Sequence, residues 1–153
     1  MKNLFEQKID NVVGEVLNRY LSENIIENDV LYTCQLVDNP KELMDKYPTK
    51  LPNKFYHHST NKFGKQPFDD REGEKLRLHI IGRLTNDVVD ALVVENPNSV
   101  NEIPHITLAT AEGIKPFESN NQLKIHTNDI VPLDDYVETT FRNILKSSKF
   151  SKK

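Results

Sequence analysis

Apolar positions recur three and four residues apart at the start of the chain. Between residues 3 and 23, Leu4, Phe5, Ile9, Val12, Val13, Val16, Leu17, Tyr20 and Leu21 form one stripe with polar residues between them. That is the pattern of an amphipathic helix. The pattern then changes. Val30 to Val37 is rich in strand formers, and the PKELMDKY that follows reads as a short helix that Pro40 starts and Pro48 stops. Residues 54–60, KFYHHST, suit a strand, whereas NKFGKQPFDDREGE, broken by Gly64, Pro67 and Gly73, reads as a loop. LRLHIIGRL and VVDALVVE, parted by Thr85, Asn86 and Asp87, predict a hairpin. After the polar connection ENPNSVNEIP come HITLATA, a strand of alternating type, and EGIKPFESNN, a loop before QLKIHT. In the last stretch Leu133, Val137, Phe141, Ile144 and Leu145 keep helical spacing while Tyr136 to Phe141 has strand composition; the spacing tips the expectation to helix.

Composition adds bounds to this picture. A chain of 153 residues, 37% hydrophobic and 28% charged, fits one domain with one substantial core, expected over residues 1–146, followed by a basic flexible tail at 147–153. The mean hydropathy of -0.60 and the lack of a long apolar run speak against a transmembrane helix. The opening MKNLFEQKIDNVVGE has neither a secretory nor an organellar pattern, so the cytoplasm is the expected compartment. A formal net charge of -3 disfavours an extended nucleic-acid surface, which rests on many Lys and Arg contacts, but leaves a small or terminal phosphate ligand open. Cys34, the only cysteine, reads as a buried strand residue, and no Cys-rich zinc site can form.

The candidate chemistry lies in two triplets, His58-Ser59-Thr60 and His105-Ile106-Thr107. On a strand, side chains at i and i+2 share a face, so each triplet would present an imidazole and a hydroxyl together. Two such strands side by side would make a pocket suited to a phosphodiester. One neutral imidazole would take a proton from water or a hydroxyl, the other, protonated, would deliver one to the leaving oxygen, and the threonine hydroxyls would donate to non-bridging oxygens. Which histidine is acid and which base is open. His57 would face away from His58 on a strand and reads as a surface or packing residue, while His79 and His126 read as strand residues. No His-Glu-x-x-His and no Cys pair accompanies the histidines, so no metal is expected.

From Tyr56 to Asn120 the order HSTNKFG, LRLHIIGRLTNDVVDALVVE, PHITLATAEGIKPFESN resembles the 2H phosphoesterase superfamily, whose members carry two His-x-[Thr/Ser] motifs. It is most similar to the tRNA-ligase-like and RNA-repair-like cyclic phosphodiesterases, in which Phe-Gly follows the first motif and Lys-Pro-x-x-Ser-Asn the second. The resemblance implies an α+β fold, a concave, antiparallel-rich sheet carrying both motif strands with flanking helices. It implies metal-independent chemistry without a cofactor, an RNA end or cyclic nucleotide with a 2′,3′-cyclic phosphate as substrate, and no specified protein partner. His58, Thr60, His105 and Thr107 would be catalytic, with Lys115, Ser119 and Asn120 binding substrate. The alternative is a non-catalytic module that holds a nucleotide or RNA end in the same pocket. The chain departs from the family pattern at Ser59 and Asn61, where apolar residues are usual, which predicts a first strand less buried or bent there.

Overall fold

The computed structural model describes residues 30–145; the helix expected over residues 3–23 and the tail at 147–153 lie outside them. The described residues form two compact units. Residues 30–32, 64–70 and 143–145 belong to the first, in which Asn143 clamps Asp69, accepting from its N–H at 2.9 Å and donating to its carbonyl at 2.9 Å. Residues 33–63 and 71–142 make the second, which carries both His-x-Thr motifs.

The elements run β1 (Val30–Val37), α1 (Pro40–Lys46), β2 (Asn53–Lys54), β3 (His58–Gln66), β4 (Lys75–Thr85), β5 (Val89–Glu95), β6 (His105–Thr110), α2 (Glu118–Ile125), a 3₁₀ turn (Thr127–Asp129) and β7 (Val131–Leu145). They form an α+β structure dominated by one antiparallel-rich sheet of order β2-β6-β3-β1-β7-β4-β5, in which β5 also pairs with β6, so that the pairing runs back into the sheet. Among the described residues no helix is long and apolar enough to cross a membrane.

Local chemistry explains the borders the sequence suggested. Asn39 caps α1, its Oδ1 accepting the Glu42 N–H at 3.1 Å, and Pro40 fills the first turn, where a missing N–H costs nothing. The β4–β5 hairpin turns on Asn86, whose Oδ1 accepts from the N–H groups of Val88 (2.8 Å) and Val89 (2.9 Å). Residues of alternate parity on β5 and β6 then bury against different clusters. Leu92, Val94, Ile106 and Leu108 join Leu43 of α1 in one, and Val89 and Val93 join Leu123 of α2 in the other. Both faces of this part of the sheet are therefore covered.

Three segments differ from expectation. The C-terminal stretch is a strand, not a helix: Val137, Thr139, Phe141 and Asn143 are buried and alternate with Glu138, Thr140 and Arg142. The apolar residues at 133, 137, 141 and 145 are four apart, a spacing that fits a helix turn and two strand steps equally, and the inward positions between them are polar. Residues 61–66 of the loop expected after Thr60 continue β3, again because inward residues of that strand, Ser59 and Asn61, are polar. The loop expected at EGIKPFESNN holds the start of α2, a helix with only Ser119 and Leu123, four apart, buried. His126 follows that helix as its C-cap rather than lying in a strand.

Ser59 and Asn61 also correct the expectation of a less buried first strand. They are 0% and 2% exposed. Asn96 donates to Ser59 Oγ (3.1 Å) and to Asn61 Oδ1 (2.8 Å), while Asn61 Nδ2 donates to Gln35 Oε1 (3.0 Å) and Gln35 Nε2 to Thr139 Oγ1 (3.1 Å). The backbone joins in, with the Val100 N–H on the Asn61 carbonyl at 2.8 Å and Ser99 Oγ on the Thr60 carbonyl at 2.8 Å. Removing one member of such a buried network strands the others, at about 1–3 kcal/mol. Asn96→Ala is expected to lower the unfolding free energy by about that amount in urea titrations; a variant as stable as the parent would show that β3 holds without the network.

Candidate active site

The two triplets open adjacent strands. Ser59 of β3 and Ile106 of β6 are direct partners in an antiparallel pair. Counting outward from that pair, His58 stands across from Thr107 and Thr60 across from His105. All four side chains thus leave the face opposite to Ser59 and Ile106. Each imidazole has a hydroxyl directly across and the other imidazole on the diagonal, a separation of about 7–8 Å between backbone positions. That span suits one phosphate held between two rings.

The backbone enters β3 through an irregularity. Asn53 and Lys54 of β2 pair with Thr110 and Ala109, but Ser59 pairs with Ile106. Five steps along one strand are matched by three along the other, so two extra residues are accommodated before His58. Tyr56 lies there with φ 51, a left-handed conformation uncommon outside glycine, and its ring is fully buried with the hydroxyl on the Tyr47 carbonyl at 2.6 Å. The chain is pinned on both sides of the kink, by the Tyr56 N–H on the Thr107 carbonyl (3.2 Å) and the Val37 N–H on the His57 carbonyl (2.9 Å). Strand alternation starts only after it. His57 and His58 therefore do not diverge as expected: their Nδ1 atoms lie 2.7 Å apart, with the rings edge to face at 88°.

His105 is held differently. Its Nδ1 lies 2.8 Å from the Ile103 carbonyl, which can only accept, so Nδ1 carries a proton and Nε2 is the nitrogen left for exchange. Thr107 Oγ1 lies 2.8 Å from Ser119 Oγ, and Ser119 is fully buried in α2, so the second motif is tied to the helix that follows it. Lys115 is exposed, and its carbonyl accepts the Glu118 N–H at 3.0 Å; the Asn120 N–H donates to the Phe117 carbonyl at 3.1 Å. These two residues are fixed by the turn leading into α2 and by the first turn of that helix. The contacts that hold them are those of the turn and not of the motif pair.

His79 belongs to another neighbourhood. It bridges Asp134 (2.7 Å) and Glu95 (3.2 Å) and stacks on Tyr136, and those hydrogen bonds raise its pKa. His126 lies 3.4 Å from Asp129. Cys34 is buried in β1 as expected, and burial pushes its thiol up to about 12, which leaves it protonated at neutral pH. Among the described residues, no group of three or more histidine, cysteine or carboxylate side chains is placed to hold a metal ion.

The electrostatics of the pair follow from burial. Desolvation, then the neighbouring rings of His57 and His105, push His58 down to about 4. Desolvation also lowers His105, opposed by its bond to the Ile103 carbonyl. Both shifts favour the neutral ring, and an anion between them would favour charging one.

Residues 34–143 match the family described as the fungal tRNA ligase phosphodiesterase domain. The chain belongs to that family. It is thereby a member of the 2H phosphoesterase superfamily. The match supports phosphodiesterase chemistry on RNA ends, with 2′,3′-cyclic phosphates as the general substrate class. No curated protein matches the sequence. The match extends well beyond the motif region, taking in the second half of β1 and most of β7.

The low pKa of His58 has a consequence for stability. The unfolded chain, with an ordinary histidine near 6.5, binds a proton that the folded chain refuses until about pH 4. Stability from this source is complete above about pH 6.5 and is lost as the pH falls through that window. His58→Gln is expected to flatten the decline in unfolding free energy between pH 6.5 and pH 4; an unchanged slope in denaturant titrations would count against a buried neutral imidazole.

Proposed function

We propose that this chain opens a 2′,3′-cyclic phosphate at an RNA or nucleotide end without a metal, using His58 and His105 as an acid-base pair. Water attacks phosphorus as one neutral imidazole removes its proton. The bond from phosphorus to one ribose oxygen breaks, and the other imidazole delivers a proton to that oxygen, leaving a phosphomonoester. The hydroxyls of Thr60 and Thr107 donate to the non-bridging oxygens, where negative charge grows. Ser119 orients Thr107 from behind, and Lys115, in the turn before α2, and Asn120, in its first turn, meet the phosphate or the base.

The observation that carries this reading is the Ser59–Ile106 register, which gives one face two imidazoles and two hydroxyls in alternating corners. The match of residues 34–143 to the tRNA ligase phosphodiesterase domain supports the substrate class. The substrate's own negative charge supplies what the empty site lacks, since it raises the pKa of whichever imidazole must carry the proton.

The test uses purified protein in chelator with 2′,3′-cyclic nucleotides and an oligonucleotide ending in a cyclic phosphate. His58→Ala and His105→Ala are each expected to lower kcat by about 10²–10⁴, and Ser119→Ala by less. Because both free-enzyme histidines lie below their usual value, kcat/KM is expected to peak on the acid side of about 6.5, with the kcat profile displaced to higher pH. Activity that survives both histidine substitutions would sink the mechanism. Phosphates that raise the melting temperature yet stay uncleaved would point to binding without turnover.

A further inference from the structure

The short contact between His57 and His58 is not used by the chemistry above. Two imidazole nitrogens 2.7 Å apart cannot both present lone pairs, so one of them holds a proton that the other accepts. His57 is exposed, while His58 is largely covered, and the backbone carbonyl of His57 is anchored by Val37 at 2.9 Å. The left-handed Tyr56 brings the two rings together where an unbroken strand would send them to opposite faces. Backbone residues held in uncommon conformations cluster at functional sites.

We propose that His57 is a positioning residue: it donates its Nδ1 proton to Nδ1 of His58 and so keeps the exchangeable proton of His58 on Nε2, facing the phosphate, which makes His58 the acid of the pair. The inference rests on the acid-base reading of His58 and His105 and deepens it. The two histidines are held by partners of different kinds. The Ile103 carbonyl behind His105 can only accept, which leaves Nε2 of His105 with a lone pair, the form of a base. The partner behind His58 is a ring that can donate, which leaves Nε2 of His58 with a proton, the form of an acid.

The step balances through the same contact. Nε2 of His58 gives its proton to the ribose oxygen as that oxygen takes the electron pair of the breaking P–O bond. Nδ1 of His58 takes the proton of a charged His57, so His58 stays neutral and His57 becomes neutral. His57, open to water, then recovers a proton from solvent, while His105 has gained the proton of the attacking water. Among the described residues, His57 and His105 both repel a charge on His58.

The experiment compares the full chain with His57→Ala and His57→Asn, the amide of asparagine standing near the place of Nδ1 and able to donate. Ring nitrogens are observed in ¹⁵N-labelled protein by long-range proton–nitrogen correlation, and kcat and kcat/KM are followed against pH. In the parent protein His58 is expected with its proton on Nε2. His57→Ala is expected to redistribute the tautomers, to move the acid limb of kcat/KM to higher pH as the repulsion is lost, and to lower kcat roughly ten- to a hundredfold. His57→Asn is expected to keep the tautomer but not the full rate, since it donates without carrying charge. A parent His58 protonated on Nδ1, or a His57→Ala protein with the parent's tautomer, pH profile and kcat, would overturn the proposal. The tautomer readout is independent of turnover, so a failure of the acid-base reading, seen as activity in His58→Ala, is told apart from a failure of this one.

Discussion

The site depends on a buried amide network on the far side of β3. Asn96 donates both amide hydrogens across to Ser59 and Asn61, and Asn61 and Gln35 carry the network on to Thr139 of β7. The strand's alternation then decides what these residues cannot touch. Because Ser59 and Asn61 point into the network, His58 and Thr60 must point to the opposite face. A one-residue slip would place an imidazole in a pocket built for amides and leave the amides without partners, so the polar contacts fix register more sharply than interchangeable apolar residues could. Hydrogen bonds from Ser99 and Val100 to the backbone of Thr60 and Asn61 bring the chain just before the second motif into the same arrangement.

How much of this was legible in the sequence depends on what kind of residue faces inward. The β4–β5 hairpin was plain, because VVDALVVE is buried along nearly its whole length and its turn has an asparagine of known habit. The short helix at Pro40 was plain for the same reason, a cap and a proline in their usual places. β3 beyond Thr60 and β7 were hidden because their inward positions include Ser59, Asn61, Thr139 and Asn143, which a hydrophobic pattern counts as outward. The motif histidines could be read because their chemistry is in their identity. The role of Ser59 and Asn61 could not, since a polar residue in a strand is informative only when its partners are known, and Gln35, Asn96 and Thr139 are distant in sequence. His57 was misjudged for a related reason. The rule of alternating faces was applied to a residue that precedes the strand, and nothing in the letters marks Tyr56 as left-handed. The His57-His58 doublet was the signal available in the letters.

Burial gives the site a further property. Desolvation lowers the pKa of both His58 and His105, which favours neutral rings in an empty pocket. A neutral site does not carry a permanent charge through folding, which a buried imidazolium would make costly. An anion placed between the two rings would favour a proton on either of them, so in the proposed reaction protonation and substrate binding favour each other. The two neighbours of the pair divide the work in the proposed reaction. α2 steadies the second motif through Ser119 and Thr107, and the kinked segment steadies the first through Tyr56 and His57.

The two triplets are alike as sequence and unlike as structure. His105 leans on a backbone carbonyl, a partner that no substitution of a side chain removes and no pH change alters. His58 leans on another imidazole, a partner that can donate, accept or carry charge. Two catalytic groups with identical surroundings would compete for the same proton, and half of the molecules would hold it on the wrong ring. In the proposed mechanism, different supports remove that degeneracy before substrate arrives, because an acceptor behind one ring and a donor behind the other select opposite tautomers at the far nitrogens. An acid and a base can then be drawn from one kind of residue, with the distinction residing in what lies behind each ring.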